Sequence, residues 1–415
     1  MKYLLTDDPE VARITEQEEQ RLEDTLDLIA AENYPPKSIL EAQGSVFSIK
    51  AAEGYPGNRF HAGCRHSDEL ETLAIERVKA LFNADHANVQ PHSGVSANLA
   101  VYFSVLNVGD PVLSMKLSHG GHLSHGDPAS ITHKCFTFHH YSVNPKTELI
   151  DYDELSAMAV KIQPKMIVAG ASSYSRLIDY ERIADIARAN RALLLVDMAH
   201  IAGLVAAKVI PSPVAVSDFV TFTTYKTLMG GRGGVILCKT PYARRLDQAI
   251  FPGAQGTPSM NLLAAKAVCF KLAMEDRFVE IQKGILENAA CAADALVAKG
   301  YRLVSGGTDN HMVLLNLHSK GLTGKQAEET LESVGIVVNR NVIPFDPEKP
   351  NITSGLRLGF SAVTTRGMKP PEIEQIVELI DHSLTGKDDP NRLREVAEGV
   401  KHLCGKYPYH RPDVS

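Results

Sequence analysis

Short apolar runs alternate with helical stretches through the middle of this chain, and that alternation narrows the possible folds more than any other feature. Residues 111–115, 165–171, 192–196, 219–222 and 234–238 each read as a strand buried on both faces. Such strands separated by helices predict an α/β fold with a mostly parallel, doubly wound sheet. Ligands of these sheets sit beyond the carboxyl ends of the strands. Asp197, Ser172 and Lys226 each follow a strand-like run, so the three are expected around one crevice.

At 415 residues the chain is too long for one small domain. Its pattern divides into an N-terminal arm and helix over 1–45, a large domain over 46–275 and a smaller α/β domain over 276–415. Thr15 and Glu18 have the spacing of a capping box, with Leu22, Leu26 and Ile29 following at helical intervals. Glycines and a proline make 51–63 a long loop, and helices are expected over 69–82, 280–299, 325–334 and through Ile373–Leu384. Further strands are expected near 301–304 and 312–317. A net charge of −6 without a basic block gives nucleic-acid binding no support. No apolar run reaches membrane-spanning length, and the N-terminus lacks a secretory pattern. The six cysteines are scattered without a C-x-x-C, which signals neither a disulfide framework nor a zinc site and suits a reduced, cytoplasmic compartment.

The chemistry gathers in a few stretches. In Asp218-Phe-Val-Thr-Phe-Thr-Thr-Tyr-Lys-Thr-Leu-Met-Gly-Gly-Arg-Gly-Gly234, a lysine follows a buried strand and precedes a glycine-rich loop. Poor solvation there lowers an amine's pKa and makes Lys226 a candidate Schiff-base nucleophile. Ser93 and Gly94 stand where a helix begins, and free amides at a helix start attract an anion such as phosphate. Asp197 closes a buried strand, where a carboxylate needs a partner: a protonated ring nitrogen, an arginine or helix amides. The histidines of His119-Gly-Gly-His-Leu-Ser-His125 invite a metal, yet no H-E-x-x-H or cysteine pair supports one, so a ring-stacking histidine is the preferred reading and no metal is assigned. Arg357, in an apolar strand-like setting, suits either a substrate carboxylate or an internal ion pair. A lysine for an aldehyde, an anion site for a phosphate and a carboxylate for a pyridine nitrogen together describe pyridoxal phosphate.

From Leu28-Ile-Ala-Ala-Glu-Asn33 to Thr364-Thr-Arg-Gly367 the sequence resembles the serine hydroxymethyltransferases, pyridoxal phosphate enzymes of fold type I. The resemblance runs through Glu41-Ala-Gln-Gly-Ser45, Ala52-Glu-Gly-Tyr-Pro-Gly57, Ala87-Asn-Val-Gln-Pro-His-Ser-Gly94, Ser118-His-Gly-Gly-His-Leu123, Val196-Asp-Met-Ala-His-Ile-Ala-Gly-Leu-Val205 and Ser305-Gly-Gly-Thr-Asp-Asn-His311. It implies a homodimer or a dimer of dimers, with tetrahydrofolate as co-substrate. By position, Lys226 matches the Schiff-base lysine, Asp197 the partner of the pyridine nitrogen, and His122 the residue stacked on the ring. Ser172 and His200 match ligands of the ring hydroxyl, and Thr223 belongs to the same cofactor set. Ser93 and Gly94 match phosphate binders, with Gly256 reaching in from the second copy. Glu53 matches the acid/base carboxylate, Arg357 the ligand of the amino-acid carboxylate, and Leu117, Gly121, Leu123 and Asn341 the folate surroundings.

Departures from the family pattern cluster in the same site. Ala31 replaces a substrate-binding serine, and Ala51 a tyrosine whose hydroxyl reaches the phosphate. Phe60 and His61 replace two tyrosines, the second of them near the substrate. Val95 replaces a serine, Tyr225 a histidine, Thr257 a glycine and Gly231 a proline. The changes at Ala31, Ala51 and His61 imply a reshaped substrate pocket. They are compatible with an extra α-carbon substituent, as in the related 2-methylserine hydroxymethyltransferases, which use D-alanine in place of glycine. A folate-independent aldolase acting on threonine-like substrates and a non-catalytic relative are the competing expectations.

Overall fold

The apolar runs form a seven-stranded sheet. In the computed structural model, which describes residues 2–409, its strands are β1 (His86–Asn88), β2 (Pro111–Met115), β3 (Thr137–Tyr141), β4 (Met166–Ala169), β5 (Leu193–Asp197), β6 (Phe219–Thr223) and β7 (Gly234–Cys238). Their order across the sheet is β1-β7-β6-β5-β4-β2-β3. The run from β6 to β3 is parallel, and β7 is antiparallel to both β1 and β6.

Alternate residues of each strand enter different cores. Leu113, Ile167, Leu194, Val196, Val220 and Phe222 face one cluster, and Val112, Met166, Val168, Leu195 and Phe219 face the other. Both faces are covered, so continuous apolar runs rather than alternating ones specify this sheet. The two strands that sequence pattern does not signal, β1 and β3, carry polar residues such as His86, Asn88, His139 and His140. Polar edge residues erase the apolar run on which the expectation rests.

The chain divides into two compact units, one comprising Pro35–Leu286 with Ile343–Phe345, and the other the residues up to Tyr34, Glu287–Val342 and those from Asp346 onward. The second unit has an antiparallel sheet of β8 (Arg302–Leu303), β9 (Met312–Asn316), β10 (Asn339–Asn341) and β11 (Gly355–Gly359), in the order β8-β9-β11-β10. The expected helices appear as Arg65–Phe82, Asp276–Ala298, Gly324–Ser333 and Pro370–Thr385, and a further helix, Pro390–Lys406, follows. Thr15 and Glu18 do not cap a helix, because the helix begins earlier, at Pro9. Asp8 accepts from the Val11 amide and Pro9 fits the first turn, so Thr15 lies inside the helix and bonds back to the Val11 carbonyl. No helix among the described residues is long and apolar enough to cross a membrane.

Arg366 ties the second unit together. Its buried guanidinium donates to the carbonyls of Tyr407 at 2.6 Å, Thr25 at 2.8 Å and Cys404 at 3.1 Å, and to those of Leu22 and Glu23 at 3.3 Å. The N-terminal helix and the C-terminal helix end on the same cation. Arg366→Met strands five carbonyl acceptors, that of Cys404 buried and the others half-buried, and a buried acceptor costs about 1–3 kcal/mol when unpaired. We expect a loss of about 3 kcal/mol or more in unfolding free energy, measured by urea denaturation; a loss below about 0.5 kcal/mol contradicts this role for the cation.

Candidate active site

At the carboxyl ends of the parallel strands lies a cavity of about 90 Å³, lined by Ser93, Gly94, Val95, His122, His125, Ala171, Ser172, Asp197, Ala199, His200, Thr223, Tyr225 and Lys226. The sheet places these residues. Asp197 is the last residue of β5 and Thr223 the last of β6, while Ser172 follows β4 and His122 follows β2. The chain turns closely past Asp197 at Gly170, which has φ 121° and where a Cβ would lie 2.0 Å from the Asp197 carbonyl oxygen.

Asp197 is buried in a polar knot. Its Oδ2 accepts from Asn98 Nδ2 at 2.8 Å and lies 3.1 Å from His125 Nε2. Its Oδ1 accepts from the Ala199 amide at 3.0 Å. Asn98 also donates to Ser124 Oγ and accepts from Thr221 Oγ1 at 2.6 Å, so helix Gly94–Val105 and β6 both brace it. Burial alone raises the Asp197 pKa, but His125, His122 and Asn98 outweigh it and hold the carboxyl well below the usual aspartate range. The closeness of His122, His125 and Asp197, whose ligand-type atoms lie within 4.8 Å of one another, follows from this hydrogen bonding.

His122 sits beside that knot with its Nδ1 2.8 Å from Ser124 Oγ. Burial, then the neighbouring His125, pushes its pKa down to about 4, which leaves a neutral, flat ring on the cavity wall at pH 7. Ser172 Oγ donates to the Gly121 carbonyl at 2.6 Å, docking the His122 loop on the turn after β4. Lys226 is buried, and its neighbour Thr227 fastens the loop by donating to the His200 carbonyl at 2.9 Å and accepting from the Gly203 amide at 3.0 Å. Tyr225 lies beside it with the Arg232 guanidinium 4.5 Å from its ring centre.

Helix Gly94–Val105 opens on the cavity, capped reciprocally by Ser93 and Ser96. The Thr223 hydroxyl next to this helix start is buried and has no hydrogen-bond partner among the described residues. An unpaired hydroxyl is costly to bury unless a ligand completes it. The first amides of a helix have no intrahelical acceptor and favour an anion. A phosphate at the helix start, an aldehyde at the Lys226 amine and a cationic ring nitrogen at Asp197 fit these residues, so the cavity suits pyridoxal phosphate.

Not every residue singled out from sequence lines this cavity. Glu53, His61, Leu117, Gly121, Leu123, Gly256 and Thr257 belong to the same unit but lie outside the lining. Glu53 and Gly256 are neighbours, since a Cβ at Gly256 would meet Glu53 Oε1 at 3.1 Å. Ala31, Asn341 and Arg357 belong to the other unit. Arg357 is on β11, donates from Nε to Asn339 Oδ1 at 3.0 Å, and is desolvated enough to bring its pKa down to about 10. Sequence reasoning misses Asn98, Ser124 and Thr221. Asn98 is nonetheless visible as the one amide within the apolar segment 97–102, and Thr221 as a hydroxyl inside a buried strand.

The parallel sheet with its crevice of lysine, aspartate and helix-start amides defines a pyridoxal phosphate enzyme of fold type I. A family model described as serine hydroxymethyltransferase matches residues 4–380. The chain therefore belongs to the serine hydroxymethyltransferase family, whose members use pyridoxal phosphate and take tetrahydrofolate as co-substrate.

A depressed carboxyl pKa makes the stability of the cofactor-free protein depend on pH. Stabilisation by ionised Asp197 is complete above the unfolded value of about 3.9 and is lost as pH falls through the lower folded value. Asp197→Asn should cost the cofactor-free protein about 1–3 kcal/mol at pH 7. Urea titrations of both proteins check this: the gap should narrow below about pH 4. A gap that is constant or widens on acidification contradicts the assignment.

Proposed function

We propose that this chain moves a one-carbon unit between a β-hydroxy amino acid and tetrahydrofolate, with two copies of the chain forming the working enzyme. The observation that carries the reading is the convergence of Lys226, Asp197, His122 and the Ser93–Gly94 helix start on one cavity. Pyridoxal phosphate, once bound, supplies the electron sink that lets the bond between the α and β carbons break.

The chain's residues supply the rest. Lys226 holds the cofactor aldehyde, and ionised Asp197 keeps a proton on the pyridine nitrogen. His122, neutral at pH 7, covers the ring face without adding charge. Ser172 and His200 bond the ring hydroxyl. The helix start at Ser93 and Gly94 and the Thr223 hydroxyl take the phosphate. Arg357 binds the amino-acid carboxylate, and Leu117, Gly121, Leu123 and Asn341 contact the folate. Gly256 serves the cavity of the second copy, and Glu53, its neighbour, goes with it. Glu53 there accepts and returns the proton of the substrate hydroxyl.

The family resemblance assigns three departures, Ala31, Ala51 and His61, to the surroundings of substrate and cofactor. Losing a serine hydroxyl at Ala31 and a phenol at His61 beside the substrate, and a further phenol at Ala51 near the phosphate, reduces side-chain bulk there, which supports 2-methylserine and D-alanine as the exchanging pair rather than serine and glycine. One methyl group in a fitted pocket is worth about 1–3 kcal/mol. Purified protein with pyridoxal phosphate, tetrahydrofolate and formaldehyde should use D-alanine with kcat/KM about tenfold or more above glycine. A preference for glycine contradicts the enlarged pocket. Turnover of phenylserine or threonine without folate, as the only activity, favours an aldolase instead.

A further inference from the structure

Lys266 is a second buried lysine, and the cofactor chemistry above makes no use of it. It lies in the middle of helix Met260–Leu272 with 1% of its surface exposed. Its ammonium donates to the carbonyls of Val89 at 2.6 Å, Gly234 at 2.9 Å and Pro91 at 3.0 Å. Burial drives the pKa of this lysine down to about 7, with Glu71 opposing. Three acceptors at these distances take three N–H donors, which only the ammonium form carries. The neighbouring helix residues Leu263, Ala264, Ala265, Ala267 and Phe270 are all buried, so an apolar side chain would desolvate more cheaply here.

Its three acceptors surround the segment that carries Ser93 and Gly94. Val89 and Pro91 lie between β1 and the start of helix Gly94–Val105, and Gly234 begins β7. The Gly234 amide donates to the Pro91 carbonyl at 3.0 Å. A Cβ at Gly234 would meet the Ser93 carbonyl oxygen at 2.2 Å, and one at Gly233 would meet Lys266 Cε at 2.2 Å. The side chain between Val89 and Pro91 is fixed as well, because Gln90 Nε2 donates to buried Glu71 at 2.7 Å. With its carbonyls turned toward Lys266, the segment has its backbone direction set just before the amides that face the cavity.

We propose that Lys266 is a positioning residue for phosphate: by gathering three carbonyls it fixes the backbone of residues 89–94 so that the first amides of helix Gly94–Val105 are presented to the cofactor's phosphate group. The inference rests on the pyridoxal phosphate reading of the cavity. It also bears on Val95, which replaces a hydroxyl that the family uses for the phosphate. With that side chain gone, more of the binding falls to backbone amides, whose direction Lys266 controls.

Comparing pyridoxal phosphate with pyridoxal, which lacks the phosphate, isolates this role. Dissociation constants for both are measured by absorbance on cofactor-free full-length protein, for the unmodified chain, Lys266→Met and Lys266→Gln. Lys266→Met removes every donor, while Lys266→Gln keeps an amide donor in the same place. Lys266→Met should weaken pyridoxal phosphate about tenfold or more, with pyridoxal changed less than about twofold and Lys266→Gln intermediate. A general packing defect would weaken both compounds together. Parallel loss of both, or no loss of either, overturns the proposal. Failure of both variants to fold overturns it too, since Lys266 is then a determinant of the fold. An unmodified chain that takes up neither compound removes the cofactor reading itself, an outcome distinct from those.

Discussion

The site depends on keeping one carboxylate charged away from water. Asp197 ends a strand covered on both faces, where an unpaired anion would take up a proton. Asn98, His125 and the Ala199 amide prevent that, and Thr221 and Ser124 hold Asn98 in turn. These five residues come from four segments: Asn98 from a helix, Ser124 and His125 from the loop after β2, Ala199 from the turn after β5 and Thr221 from the neighbouring strand β6. Satisfying one charge therefore fixes four segments of the cavity wall relative to one another. A buried polar network that is fully paired is rigid, and rigidity at the wall is what the placement of a planar cofactor requires.

The same logic explains what was legible in the sequence. Runs such as Leu193–Asp197 and Phe219–Thr223 are apolar because both faces of the sheet are buried, so pattern alone located the strands that carry the site. Strands β1 and β3 escaped because their exposed or polar positions break the run. Spacing places the start of the first long helix too late, because Asp8 offers a better cap than Thr15, a choice decided by local hydrogen bonding that spacing does not reveal. Lys226, Asp197 and the Ser93 helix start stand out by residue type and position, whereas the choice of His122 among three nearby histidines comes from the family resemblance. Asn98 and Lys266 do not stand out, since a single polar residue inside an apolar helix looks the same whether it braces a site or merely finds a partner.

Two buried lysines now carry opposite assignments. Lys226 lines the cavity and is held by a loop whose next residue, Thr227, is bonded on both sides. Lys266 lies outside the lining with three carbonyls around its ammonium. A lysine enclosed by three carbonyls is committed to structure, whereas a lysine on the wall of a cavity can meet a ligand bound there. On the proposed function, the family hydroxyls absent at Val95 and Ala51 would shift weight in phosphate binding toward the backbone, and the changes at Ala31 and His61 would alter the shape presented to the substrate.

Borohydride reduction of the protein loaded with pyridoxal phosphate, followed by peptide mass mapping, tests the central assignment most directly. A single pyridoxyl modification on the peptide containing Lys226 is the result expected. Modification of Lys266 or a surface lysine instead, or none on a chain that is visibly loaded, would contradict the account.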